Sequence, residues 1–358
     1  MLSVRLSRAG LGSVVLTAVL CAAAPTASAI GGVGDDKDPV PPSGASGGSS
    51  GPMLTAEATA TSIRITRTGG GGPGGAGRPP TPVDPAWRPP ACWYEPVATP
   101  EELRAGVDRL KADGGPVRVT PTLSWGRELM VNHYEKGEAQ HDGPGYKDYN
   151  LGKDGRFWRG VINESRRDEL DIFDCERNLF WQAAGTVPED AHAPTPEVLA
   201  SYAYDKIRLP GTEVELKPAA RSTVNLPTWV WLDKAAFQKV TVRAELPHTG
   251  LWAETTARPV SLHVEPGTPD AVRHPASGEC TLGDDGSIGT PYVRGGGAAP
   301  PCGITYLRAS GDAPYTLTAS LTWEISWKGS GGAQGDLPDG AFETTQEMVV
   351  REIQAVNR

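Results

Sequence analysis

Four absences bound what this 358-residue chain can do. No Gly-x-x-x-x-Gly-Lys-Ser/Thr loop occurs, so no run of backbone amides with its lysine is set to cradle a nucleotide phosphate. His-Glu-x-x-His and Cys-x-x-Cys are also missing, and His133 and His274 fall at no ligand-like spacing, so the common zinc frameworks are excluded. Basic residues are in deficit: 34 Lys and Arg against 43 Asp and Glu leave a formal charge of -9. Nucleic-acid binding needs clustered cations to neutralise phosphates, so that partner class is excluded with nucleotides. Long apolar runs are nearly absent: a mean hydropathy of -0.34 and a single such run rule out a polytopic membrane protein. No cofactor is expected.

The single apolar run stands at the N-terminus. Arg5 and Arg8 form a charged start, Leu11 to Cys21 an apolar stretch too short to span a bilayer comfortably, and Ala27-Ser28-Ala29 a small-residue cleavage site. Residues 1–29 are therefore predicted to be a secretory signal peptide, leaving Ile30 first and no transmembrane segment after cleavage. Leu20 before Cys21 argues against lipoprotein processing, and the separation of Arg5 from Arg8 argues against a twin-arginine signal. Secretion changes the reading of the cysteines. Four of the five survive, Cys92, Cys175, Cys280 and Cys302, and an even number in an oxidising compartment points to two disulfides. Cys280–Cys302 closes a short Gly/Pro-rich loop that could not order itself, and Cys92–Cys175 follows by exclusion.

What the chain has in excess is Gly and Pro: 44 and 33 residues, more than a fifth of the whole. Both are poor helix formers, which excludes a helical bundle. Residues 30–90 hold 14 Gly and 11 Pro and read as a disordered spacer, because they bury too little apolar surface to offset chain entropy. Inside it the island Thr55 to Thr68, with Ile63 and Ile65 alternating against Arg64 and Thr66, has the pattern of an edge strand but is expected to stay loose. Residues 91–194 read as a small mixed α/β region. Thr99-Pro100-Glu101-Glu102 spells a capping box, with Leu103, Val107 and Leu110 on one helical face until Gly114. Val117 to Leu123 is predicted as a strand, followed by a polar loop from His141 to Asp154. Thr195-Pro196-Glu197 opens a connecting helix assigned to 195–210.

From residue 211 the period turns to two. Thr228 to Leu232 reads as a buried strand with Trp229 and Trp231 on one face, assigned inward, and Val230 on the other. Val240 to Ala244, Leu251 to Thr256, Val260 to Val264 and Gly303 to Leu307 follow. Tyr315 to Trp327 is the strongest run: Leu317, Ala319, Leu321, Trp323, Ile325 and Trp327 point one way, so a one-residue slip would expose them all. A last strand is expected over Thr345 to Val356. The predicted class is mainly β, with a C-terminal β-sandwich over 211–358.

These segments carry a resemblance. Leu226-Pro-Thr-Trp-Val-Trp-Leu-Asp233, Cys302-Gly-Ile-Thr-Tyr306, Tyr315 to Trp327 and Glu352-Ile-Gln-Ala-Val-Asn357 resemble a group of secreted actinobacterial, Streptomyces-type proteins of unknown function. The resemblance covers about residues 195–358 and implies an immunoglobulin-like, PKD-like sandwich. The PKD motif itself is replaced here by Val264 to Asp270 and by Ile304. Such proteins are sometimes labelled ATP/GTP-binding or enoyl reductase, and the residues of this chain support neither label.

Candidate chemistry is sparse. Gly44-Ala-Ser46-Gly-Gly48 matches a hydrolase elbow only by chance in the spacer, without the strand–turn–helix it needs, and the same holds for the glycine pattern from Gly69 to Gly74. Asp168, Glu169, Asp171, Asp174 and Glu176 form the densest carboxylate cluster. Paired carboxylates, Asp171 and Asp174 among them, could serve as acid and base on a glycosidic bond or bind calcium, but Arg166, Arg167 and Arg177 flank the cluster and favour a solvated ion-pair face. Asp284-Asp285-Gly286 could bind calcium but reads as a tight turn. Phe157 and Trp158, flanked by Arg156 and Arg159, are the candidates for an exposed ligand contact. The function expected is a non-catalytic protein, secreted or held at the cell wall, that binds or scaffolds an extracellular protein or glycan. An envelope polysaccharide or peptidoglycan hydrolase using carboxylates in 91–194, and an accessory subunit of a secretion or appendage machine, are the alternatives.

Overall fold

The period-2 run around Trp323 is the spine of the molecule. In the computed structural model, residues 61–69, 77–112, 128–140, 143–210, 214–232, 238–294 and 299–353 are described. The expected signal peptide, residues 30–60 of the expected spacer, the strand expected at Val117 to Leu123 and the glycine matches at 44–48 and beyond Gly69 lie outside them. No described helix is long and apolar enough to cross a membrane. In chain order the strands are β1 (Arg64–Gly69), β2 (Thr81–Pro82), β3 (Cys92–Ala98), β4 (Gly155–Ile162), β5 (Phe180–Ala183), β6 (Glu215–Lys217), β7 (Arg221–Thr223), β8 (Pro227–Trp231), β9 (Val240–Leu246), β10 (Leu251–Glu265), β11 (Ala271–His274), β12 (Glu279–Thr281), β13 (Gly303–Tyr306), β14 (Tyr315–Gly329) and β15 (Gln334–Arg351). The α-helices used below are α1 (Pro100–Ala112) and α2 (Pro196–Asp205).

The chain is mainly β and sandwich-like. Its large sheet runs β1-β9-β10-β14-β15-β2, with β12 added on β10 and β7 on β15. The inward residues of β14 are those the alternation selects: Leu317, Ala319, Leu321, Trp323 and Ile325 are all buried. Two strands expected at 251–256 and 260–264 are one long strand, β10. A register shift between Pro259 and Ser261 changes its parity, so Ala253, Thr255 and Ala257 before it and Leu262 and Val264 after it all face the core. The final strand starts earlier than expected, at Gln334, because Gly331 and Gly332 (φ 71° and 77°) let the chain reverse directly out of β14.

Opposite the large sheet lies a four-stranded sheet, β11-β13-β8-β6, which sends Leu216, Val230, Leu232, Ile304 and Tyr306 into the shared core. Helix α2 completes this layer and is no mere connector. Thr195 caps it by accepting from the Val198 amide, while Leu199, Ala200 and Ala203 are fully buried, and Thr255 Oγ1 donates to the Ala200 carbonyl at 3.0 Å. The stretch expected to be spacer is partly built into the fold. β1 pairs antiparallel with β9, β2 pairs with β15, and Arg78 bridges Leu209. The reason is that β9 otherwise ends the sheet with an unpaired edge, and Ile63 and Ile65 supply the apolar contact that holds the covering strand there.

The small mixed module is a three-stranded sheet, β3-β4-β5, with α1 against it. Its capping box forms as read: the Glu102 amide donates to Thr99 Oγ1 at 3.1 Å and the Thr99 amide to Glu102 Oε2 at 2.7 Å. Both expected disulfides are present, Cys92–Cys175 in this module and Cys280–Cys302 in the sandwich. Closing loops of 83 and 22 residues stabilises the fold by roughly 3–5 kcal/mol each on the chain-entropy account. The short loop turns tightly at Asp284–Gly286, where the Gly286 amide donates to the Gly283 carbonyl, and it carries Ile288 into the core.

Three core tyrosines are expected to make the fold alkali-sensitive. Burial pushes the phenols of Tyr202, Tyr204 and Tyr306 well above the usual tyrosine range. The native chain keeps protons that the unfolded chain releases from about pH 10, so their stabilisation is complete below that pH and declines as pH rises above it. The urea midpoint is therefore expected to fall between about pH 9 and pH 11, and to fall less steeply in Tyr306→Phe. Equal pH slopes for the two proteins would contradict this.

Candidate functional site

Phe157 and Trp158 do not form an exposed contact. They are 0 % and 3 % exposed. Their strand, β4, is the middle one of its sheet, and side-chain clusters pack on both of its faces. Phe157 packs with Leu103, Val107 and Tyr146 beneath α1, and Trp158 packs on the other face with Tyr94 and Phe180. The flanking arginines point to a surface, but the side chains packed on each face of β4 decide the burial.

The carboxylate cluster is an ion-pair face at one end. Arg166, anchored by donating to the Pro89 carbonyl at 2.7 Å, binds both Glu169 and Asp171. Its guanidinium holds the Glu169 carboxyl below the usual range. Asp174 is exposed and makes no ion pair among the described residues. The same loop raises two apolar side chains into solvent, Leu170 (86 % exposed) and Phe173 (66 %).

A cavity near this module is lined by His133, Gly143, Tyr146, Arg177 and Phe180. At about 10 Å³ it has room for one water, far below the roughly 300 Å³ of a small-molecule site. His133 is buried, with Nδ1 2.9 Å from the Glu138 carbonyl, and it sits edge-on to Tyr134 and Tyr146. Next to it, Asp148, Tyr149 and Asn150 take three consecutive left-handed conformations (φ 49°, 57° and 59°). Such backbone costs about 1 kcal/mol or more per residue. Burying the Tyr149 ring and donating its hydroxyl to Glu135, which also pairs with Lys111, offsets that cost. Asp and Asn tolerate this conformation; Tyr gives no sequence signal for it.

The aromatic face lies elsewhere. Val230 and Leu232 enter the core, so Trp229 and Trp231 point to the outer side of the β11-β13-β8-β6 sheet, the reverse of the inward assignment. Trp229 lies opposite Gly303 in the ladder and is 8 % exposed. Tyr292, 43 % exposed, covers it edge-on with centroids 5.8 Å apart. Trp231 is half-buried. The register places Val272, His274 and Thr305 on the same side, and His274 Nε2 meets Thr305 Oγ1 at 2.9 Å. Lys217 and Glu215, opposite Trp229 and Trp231, are exposed at the edge strand. The face thus presents flat rings beside hydroxyl, imidazole and charged groups. Comparison of the chain with protein-family models, with curated proteins and with solved structures finds no match.

Burial separates packing residues from surface residues in a measurable way. Trp158→Ala is expected to destabilise the chain by about 3–5 kcal/mol, and Leu170→Ala by less than about 0.5 kcal/mol. Similar losses for both in chemical denaturation would contradict the assignment.

Proposed function

We propose that the protein is secreted and non-catalytic, and that its C-terminal sandwich binds an extracellular glycan through the outer face of the β11-β13-β8-β6 sheet. The observation that carries the proposal is the placement of Trp229, Trp231 and Tyr292 together on a solvent side of the sheet. An indole or phenol ring offers a negative quadrupole face, to which the slightly positive axial C–H groups of a pyranose are complementary. His274, Thr305, Lys217 and Glu215 supply hydrogen-bond partners for sugar hydroxyls around those rings. Two disulfides, the N-terminal pattern of charged start, apolar stretch and small-residue site, and the resemblance to secreted actinobacterial PKD-like proteins support an extracellular setting.

A second reading is favoured by one observation. Leu170 and Phe173 stand exposed on a loop fixed by Arg166 and Cys175, which suits a protein partner and a scaffolding role.

Retention of the mature chain on cellulose, chitin and isolated cell-wall polysaccharide tests the glycan reading. The wild type is expected to bind at least one of them, and Trp231→Ala and Tyr292→Ala each to weaken that binding roughly tenfold without loss of fold. Retention on none, or undiminished binding of the double variant, would contradict it. Binding that is lost instead in Leu170→Ser/Phe173→Ser would transfer the role to the loop.

A further inference from the structure

Among the described residues one group has the make-up of a metal-ligand set: the sulfurs of Cys92 and Cys175 and a ring nitrogen of His192, all within 4.8 Å of one another. The sulfurs are joined as a disulfide. A tetrahedral Zn²⁺ with bonds of about 2.3 Å to sulfur and 2.0–2.1 Å to nitrogen sets its ligand atoms roughly 3.5–3.8 Å apart. That spacing lies within reach of this trio once the S–S bond is opened.

Each ligand is positioned by contacts that do not involve the disulfide. Cys92 opens β3 and is held in the ladder opposite Ile162 on β4. Cys175 crosses β4 at Gly160, where any side chain would meet the Cys175 carbonyl oxygen at 2.6 Å, so the glycine admits this close approach. The His192 backbone is fixed twice: its amide donates to Asp190 Oδ1 at 2.9 Å, and its carbonyl accepts from the Tyr94 amide at 3.1 Å. Asp190 is itself paired with Arg177 at 3.6 Å. The pair also differs from Cys280–Cys302, whose two residues are both buried. Cys175 is half-buried at the base of an exposed loop, where a small reductant can reach it.

We propose that the Cys92–Cys175 disulfide and a zinc-class divalent cation are alternative occupants of one site, with His192 as third ligand. A dithiol reductant passes two electrons and two protons to the disulfide, giving two thiols and one oxidised dithiol. The cation then displaces the two thiol protons and takes two thiolates and the neutral imidazole, which leaves the fourth corner of the tetrahedron for water. A small-molecule disulfide accepts two electrons from the two thiolates through thiol–disulfide exchange and leaves as two thiolates, so the S–S bond re-forms and the cation is expelled. His192 has no such role in the oxidised protein.

Co²⁺ is the probe, because thiolate ligation gives it an intense charge-transfer absorption. The full mature chain, reduced and freed of small thiols under anaerobic conditions, is expected to bind one equivalent with that absorption, and to release it on addition of Zn²⁺. The oxidised chain is expected to give no such band. Cys175→Ser should abolish it, His192→Ala should weaken binding at least tenfold, and Cys280→Ser/Cys302→Ser should leave it unchanged. Absence of the band in the reduced wild type, or equal affinity in His192→Ala, overturns the proposal. If reduction alone loosens the small module, recovery of its near-ultraviolet circular dichroism on adding Zn²⁺ supports it, and failure to recover overturns it.

Discussion

Glu95 is fully buried on β3, and its two carboxylate oxygens collect donors from segments far apart in the chain. The Trp93 indole donates to Oε1 at 2.6 Å, and the Thr61 hydroxyl donates to the same oxygen. The Ser62 amide and hydroxyl both donate to Oε2 at 2.6 Å. Arg159 stands directly across the ladder, buried enough that desolvation lowers its affinity for its proton while Glu95 raises it. A buried carboxylate without such partners would cost several kcal/mol, and charge-assisted bonds are the strong class of hydrogen bond. The arrangement therefore ties the segment before β1 to the small module at a point where neither can shift without stranding a charge.

The rest of the architecture follows from that tie. With Thr61 and Ser62 held, Ile63 enters the core and the residues after it run along β9, covering an edge that would otherwise offer unpaired amides to another chain. Trp93 reaches past Glu95 to meet Tyr202 of α2 edge-on at 5.3 Å, so the small module lends Trp93 and Val161 to the sandwich core and keeps two apolar clusters of its own. The inner faces of both sheets, α2 and both faces of β4 are consumed by packing. The outer side of β11-β13-β8-β6 and the loop bearing Leu170 and Phe173 stay open to solvent and carry large aromatic or apolar side chains.

Much of this was legible in the sequence, and the failures have physical causes. The alternation on β14 announced its inward face because polar residues fill every other place. On β8 the alternation was equally clear, but both sides of the strand are apolar: Val230 against Trp229 and Trp231. Periodicity fixes which residues share a face, and the partner layer fixes which face is inside. The disulfides were legible because a 22-residue separation makes one pairing natural. The Glu95 cluster was not, since it joins residues more than thirty positions apart through a carboxylate that any sequence reading places on a surface. Nor was His192, which the turn at Asp190 brings to the cysteines. Flanking charge gives no warning of burial at Trp158, because the rings that cover it, Tyr94 and Phe180, come from the two neighbouring strands.

The dependence on Glu95 is tested most directly by amide hydrogen exchange in the full chain carrying Glu95→Gln. The amide is nearly isosteric, but it carries no charge and turns a donor group toward donors. The account predicts that 63–69 and 92–98 lose protection together while the β14–β15 hairpin keeps its own. Wild-type protection across 63–69 in that variant would contradict it.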